Sequence, residues 1–250
     1  MIEQQITLKH YIAFGFICLA VIIASIHPLE FESYLLHQAG TVLMLIALII
    51  VIKKIGIDFH SFCLYLAFLF IHIVGAHYLY SYVPYNEWFQ TLFHIDLNQT
   101  MGWSRNMYDR FVHFAYGLLL YPFFYRCFEF FFPKSKPVAI FLLVVQFVMA
   151  SSLVYELIEW WIAIGLSPED AENYNGQQGD IWDAHKDMFL ATLGSILIGL
   201  LYLYKEKTLV SGCGGGVTGN VEGSLEIPFN QTSFKIKPET IYTEVKKFYQ

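Results

Sequence analysis

Charge is what this sequence has least of. Of 250 residues only 14% are Asp, Glu, Lys or Arg, whereas 56% are hydrophobic. The mean hydropathy of +0.48 lies outside the range of an ordinary soluble domain, so water is not the main solvent of this chain. Basic residues are scarcer than acidic ones, 15 against 21, for a formal net charge of -6, which argues against a nucleic-acid partner. Four cysteines, Cys18, Cys63, Cys127 and Cys213, have no paired spacing, so neither a disulfide framework nor a thiolate-bound metal is implied. Aromatic side chains, by contrast, make up 18% of the chain, too many for a disordered chain or a coiled coil. What is left is a polytopic membrane protein.

A hydrocarbon core about 30 Å thick needs roughly 20 helical residues at about 1.5 Å each. Six runs qualify, from Lys9 to Ile26, Ser33 to Ile52, Phe59 to Tyr80, Asp109 to Phe132, Pro137 to Ile164 and Trp182 to Tyr204. Unpaired backbone groups are not tolerated in lipid, so the expected fold class is all-α, a transmembrane bundle of six helices. The first run is read as retained, because Ala24 to Pro28 is a poor signal-peptide cleavage site. Twelve of the fifteen basic residues fall at the N-terminus, the second and fourth loops and beyond the last span, leaving only Arg105, Arg110 and Lys186 opposite. By the positive-inside rule both termini are expected in the cytoplasm. Residues 1–204 then form the membrane domain, and 205–250 a tail whose Ser211 to Ser224 stretch is a Gly-rich flexible linker.

The outer loops carry their own signals. After Pro84, the residues Trp88, Phe89, Leu92 and Phe93 recur at helical spacing, as in a helix lying in the interface. Trp103, Tyr108, Trp160, Trp161 and Trp182 are expected to form an aromatic belt. Ser167-Pro168-Glu169-Asp170 is a capping-box pattern and Asn175-Gly176 a turn. Glu30, Glu32 and Asp96 read as solvated loop charges.

Ionisable residues inside membrane segments cost about 2.5–3.5 kcal/mol each on insertion scales, so they mark function or buried pairing. This chain has many: His72 and His77 in the third run, Asp109, Arg110 and His113 in the fourth, Glu156 and Glu159 in the fifth, and Asp180, Asp183, His185, Lys186 and Asp187 around the start of the sixth. All fall in the outer half of their helices. At about 100° per residue, Asp109 and His113, Glu156 and Glu159, and Asp183 and Asp187 each share a face. His185 points away from Asp183, and only one of His72 and His77 points fully inward. Gly75, Gly194 and Gly199 permit close helix approach. Six carboxylates at one depth need compensation, from Arg105, Arg110 and Lys186, from shared protons, or from a bound cation. The bland alternative is a set of interhelical ion pairs and helix caps.

The segments Arg105-Asn106-Met107-Tyr108-Asp109-Arg110-Phe111-Val112-His113-Phe114, Tyr155-Glu156-Leu157-Ile158-Glu159-Trp160-Trp161, Gly176 to Met188 and Gly75-Ala76-His77-Tyr78 resemble the YjdF-type bacterial inner-membrane family. The resemblance covers roughly the first 204 residues and implies a multi-pass protein of the bacterial cytoplasmic membrane whose activity is not established. His185 stands where that pattern has glutamine, and the Gly-rich tail has no counterpart in it. A fainter similarity in motif order runs to VanZ-like membrane proteins through Asp109-Arg110, His113-Phe114, Glu156, and Asp187 with Gly194.

Three functions fit these residues. In the first, Asp109, His113, Glu156, Glu159, Asp183 and Asp187, with one of His72 and His77 as a further donor, hold Mg²⁺, Mn²⁺, Zn²⁺ or iron. The carboxylates Asp109, Glu156, Glu159, Asp183 and Asp187 then act in hydrolysis or transfer at the headgroup of a lipid or envelope precursor, which Arg110, Lys186 and Arg105 bind. In the second, the same carboxylates exchange protons or cations in a transporter, although no broken helix or inverted repeat is evident. The third is a sensor with a lipid or small-molecule pocket at the outer face and the tail as output.

Overall fold

The computed structural model describes residues 2–165, 171 and 174–213, with side chains to 205. The chain divides into Met1–Val210 and Ser211–Gln250, and the account below concerns the first. The capping-box pattern at Ser167 to Asp170 and residues 214–250, with most of the Gly-rich stretch, lie outside the described residues, whereas 205–213, expected in the flexible tail, continue the last helix.

Each apolar run is helical. In chain order the elements are β1 (Ile2–Glu3), α1 (Leu8–Ala24), α2 (Phe31–Lys54), β2 (Ile57–Asp58), α3 (Phe59–His77), α4 (Tyr85–Phe93), α5 (Leu97–Met101), α6 (Tyr108–Phe131), α7 (Pro137–Ile164) and α8 (Asp183–Cys213). Local chemistry sets several starts. The Asp58 carboxylate accepts the Ser61 N–H at 3.0 Å to cap α3, and Pro137 opens α7 where a missing N–H costs nothing. The strands form one two-residue antiparallel ladder, Ile2 opposite Asp58 and Glu3 opposite Ile57.

Among the described residues, four helices are long and apolar enough to cross a membrane: α2, α3, α7 and α8 from Asp183 to Lys205. The six-span expectation is met in part. α1 is apolar but only 17 residues long, and α6 has 24 residues but includes Asp109, Arg110, Arg126 and Glu129. α3 is the central helix, with 56% of its apolar window buried against 28% for the other three. It packs on α1, α2 and α6, and α6 packs in turn on α7. The outward faces stay apolar, with Leu43 and Ile50 on α2, Leu142 and Val154 on α7, and Leu197 and Leu201 on α8 all exposed. That inside-out composition suits a hydrocarbon solvent.

The glycines fit their surroundings closely. A Cβ on Gly117 of α6 would strike the Ala191 carbonyl of α8, and one on Gly194 of α8 would strike the Phe114 carbonyl of α6. The two backbones therefore touch, as small residues permit. Gly199 instead lies under the Phe141 and Tyr121 rings, and Gly75 under the Tyr80 ring.

Two loop expectations change. Asp96 is a helix cap, accepting the Gln99 N–H at 2.9 Å. Tyr108 is buried rather than interfacial, because its hydroxyl donates to the Ile71 carbonyl at 2.9 Å. Trp160, Trp161 and Trp182 are exposed, as are Trp88, Phe89, Leu92 and Phe93 along α4. Gly176 forms a turn with φ +65°.

Candidate functional site

Two helix starts set the site. One turn before Gly117 on α6 stands His113, and one turn before Ala191 on α8 stands Asp187. The touching backbones bring these two side chains together with Asp109, so that one ligand atom from each of the three lies within 4.8 Å of the others. His113 Nε2 is 3.7 Å from Asp109 Oδ1 and 3.8 Å from Glu156 Oε1 on α7. Glu159, one turn along α7, adjoins Glu156 and Tyr155. Asp187 and His113 are buried, and both Asp187 Oδ1 and Glu156 Oε1 are enclosed without a hydrogen-bond donor among the described residues. A buried carboxylate oxygen without a donor forfeits its hydration, so such a group calls for a cation or a proton.

Beside this group, Asp180 and Asp183 are fully served. Arg105 Nη1 meets Asp183 Oδ1 at 2.5 Å, Arg110 Nη2 meets the same oxygen at 3.1 Å, and Lys186 Nζ meets Asp180 Oδ2 at 2.6 Å. Arg110 also pairs with Asp180. Arg105 further donates to the Gln177 carbonyl at 2.9 Å and the Gly176 carbonyl at 2.8 Å, and the Asn106 N–H donates to Gln178 Oε1 at 2.9 Å. The segment leading into α8 is thus tied down over the start of α6. The Lys186 ammonium, the Trp182 backbone N–H and the Arg110 guanidinium hold the Asp180 carboxyl well below the usual carboxylate range. Among the described residues, none of the three basic side chains forms an ion pair with Asp109, Glu156, Glu159 or Asp187. Arg110 Nε is buried without a partner.

The histidines separate as the angular argument expects. His72 is buried and faces inward, while His77 Nδ1 lies 2.8 Å from the Ala24 carbonyl and ties α3 to the end of α1. His185 is exposed, its ring against Trp182. His72 Nε2 lies 3.2 Å from the His37 carbonyl, which only accepts, so Nε2 carries the proton. Nδ1 then accepts from the Tyr80 hydroxyl at 2.6 Å. His37, Tyr80 and Ser152 escaped the sequence reading. The one available signal was Gly75, whose bare surface admits the Tyr80 ring as Leu79 and Tyr80 turn back with positive φ.

A cavity of about 290 Å³ adjoins the carboxylates. Asp109, His113, His72 and Tyr80 line its polar end, and Gly40 and Leu43 of α2 and Ser152 of α7 line the remainder.

Residues 9–207 match the family described as "Predicted membrane protein (DUF2238)". A 141-residue stretch, 51% of the chain, is 34% identical to the inner membrane protein YjdF of Escherichia coli (strain K12) and covers 59% of that protein. A 46-residue stretch, 18% of the chain, is 48% identical to the sulfur carrier protein FdhD of Wolinella succinogenes, covering 16% of it. The chain thus spans little more than half the length of the first of these relatives and a small part of the second. No solved structure matches the chain. The family model takes in every helix described except the first residue of α1 and the last residues of α8, together with the whole carboxylate group, and the chain belongs to this DUF2238 family of membrane proteins.

Proposed function

We propose that the chain is a six-span protein of the bacterial cytoplasmic membrane, with both termini inside, whose carboxylate group holds a divalent cation for hydrolysis or transfer at an anionic lipid or envelope-precursor headgroup. Residues 1–204 are the membrane domain in this reading, and 205–250 a cytoplasmic tail. One observation carries it: among the described residues, the acids where α6 and α8 begin divide into a group paired with Arg105, Arg110 and Lys186 and a group that forms no ion pair with Lys or Arg. Asp109, His113 and Asp187 supply oxygen and imidazole donors suited to Mg²⁺, Mn²⁺, Zn²⁺ or Fe²⁺. Such an ion activates water or polarises a phosphoryl oxygen. Glu156, beside His113 and next to Glu159, would take the proton of the attacking water. Arg105, Arg110 and Lys186 bring three positive charges against the two of Asp180 and Asp183, leaving a surplus beside the metal for an anionic group. Asp183 therefore acts here through the arginines rather than as a ligand. Elemental analysis of the protein purified without chelator tests the reading: stoichiometric divalent metal is expected in the wild type and its loss in Asp187→Asn. Equal, trace metal in both would overturn it.

A further inference from the structure

We infer that the site takes its substrate sideways from the membrane, with a hydrocarbon chain of that substrate seated in the cavity between α2 and α7. The inference deepens the reading above and rests on it for what happens at the headgroup. Among the described residues Gly176 covers Asp109, a Cβ there lying in ordinary contact at 3.8 Å from Oδ2. Arg105 holds the Gly176 carbonyl, the Asn106 N–H holds the Gln178 side chain, and Tyr174 is buried. The side approach is different. α2, α3, α6 and α7 pack in series, each on the next, so α2 and α7 stand at the two ends of the series with the cavity between them. Leu43 lines that cavity and is nevertheless 68% exposed, which marks a mouth on the lipid-facing side.

The shape fits one chain attached to a polar head. From Asp109 to Tyr116 the lining extends seven residues along α6, about 10 Å of helix rise, against the roughly 15 Å that one leaflet contributes to the hydrocarbon core. The polar end holds Asp109, His113 and the Tyr80–His72 pair. Away from them the lining is formed by Leu43, Phe68 and Ser152, with Gly40 on the α2 wall beside His72. A Cβ on Gly40 meets only His72 Nε2, at 3.9 Å, so the space at Gly40 is open. The volume lies at the lower limit of the about 300–1,000 Å³ of ligand pockets. Burying a chain there releases no water-exposed apolar surface, since lipid already solvates it, so selectivity rests on the headgroup reaching the carboxylates while its tail stays in hydrocarbon.

The test uses the full chain in vesicles of phosphatidylethanolamine and phosphatidylglycerol, with phosphatidylglycerol bearing a diazirine near the end of one acyl chain as the probe. After irradiation, adducts are mapped by peptide mass spectrometry. Labelling is expected at Met44, Ser152 and Tyr155, which line the cavity, in addition to the lipid-facing surfaces that include Leu153 and Val154. In Gly40→Trp the Ser152 and Tyr155 adducts should fall about tenfold, the equivalent of about 1.4 kcal/mol, with labelling of α1, Leu153 and Val154 unchanged. Should that variant misfold by size-exclusion profile, Ser152→Phe closes the cavity from the opposite wall and is read the same way. Adducts confined to outward faces, or unaltered by either substitution, would overturn the inference. Metal content is measured on the same samples: cavity labelling without metal upholds the pocket and overturns the metal reading alone.

Discussion

Two groups of acids stand side by side where α6 and α8 begin, and they are solved differently. Asp180 and Asp183 are matched by Arg105, Arg110 and Lys186 at hydrogen-bonding distance. Asp109, Asp187 and Glu156 have one imidazole among them, and two of their buried oxygens have no donor. A fold that merely needed to hide acids would spread its three cations over both groups. Concentrating them in one leaves the other with a charge that only something from outside the chain completes. The paired group has a structural task, fastening residues 176–178 to Arg105 and Asn106. The unpaired group adjoins the cavity.

The comparison breaks most visibly at Arg105. Arg105→Ala leaves the buried Asp183 with one cation fewer and releases Gly176 and Gln177. Thermal unfolding in detergent should show a loss of about 3–5 kcal/mol. Asp187→Asn in metal-free protein should cost little by the same measurement, because it removes a repelled charge. Next in size, a chelator should destabilise the wild type by about 2.7 kcal/mol if metal was present at 100 times its dissociation constant, and leave Asp187→Asn unchanged. Equal chelator effects on the two would erase the distinction between the groups.

Gly194→Leu tests what brings the acids together. The side chain would press on the Phe114 carbonyl and part α6 from α8, at about 1–3 kcal/mol by overpacking. Metal binding should weaken with it, whereas Gly40→Ala, with open space at its Cβ, should alter stability little. A pH-dependent effect is expected at Asp180. Its folded-state carboxyl is held below the ordinary range, first by Lys186, so its stabilising contribution is present above that range and lost as the pH falls toward the folded value. The wild type should therefore melt above Asp180→Asn at neutral pH, and the two curves should converge on acidification.

Much of this was legible in the sequence, for identifiable reasons. Hydropathy located five helices to within a few residues at both ends and the sixth at its start, because backbone satisfaction in lipid leaves few alternatives; the last helix runs on to Cys213, past the apolar run that ended at Tyr204. Helical period placed Asp109 with His113, and Asp183 with Asp187, on common faces. It could not say that Asp183 and Asp187, one turn apart, would fall into different groups, since that depends on what a neighbouring helix offers at each level. His37 and Tyr80 were missed for the same reason: their partners lie on other elements, and nothing in their own spacing marks them. The contact between Gly117 and Ala191, one turn from His113 and Asp187, is likewise a property of two helices together.

The most direct measurement is anomalous scattering, or element-resolved density, from crystals of the protein grown with Mn²⁺. The account predicts an ion bonded to Asp109, His113 Nε2 and Asp187 at about 2.0–2.6 Å, with Arg105 and Arg110 still on Asp183. An ion seated instead at Asp180 and Asp183, or arginines moved onto Asp109 and Asp187 with no ion bound, would contradict it.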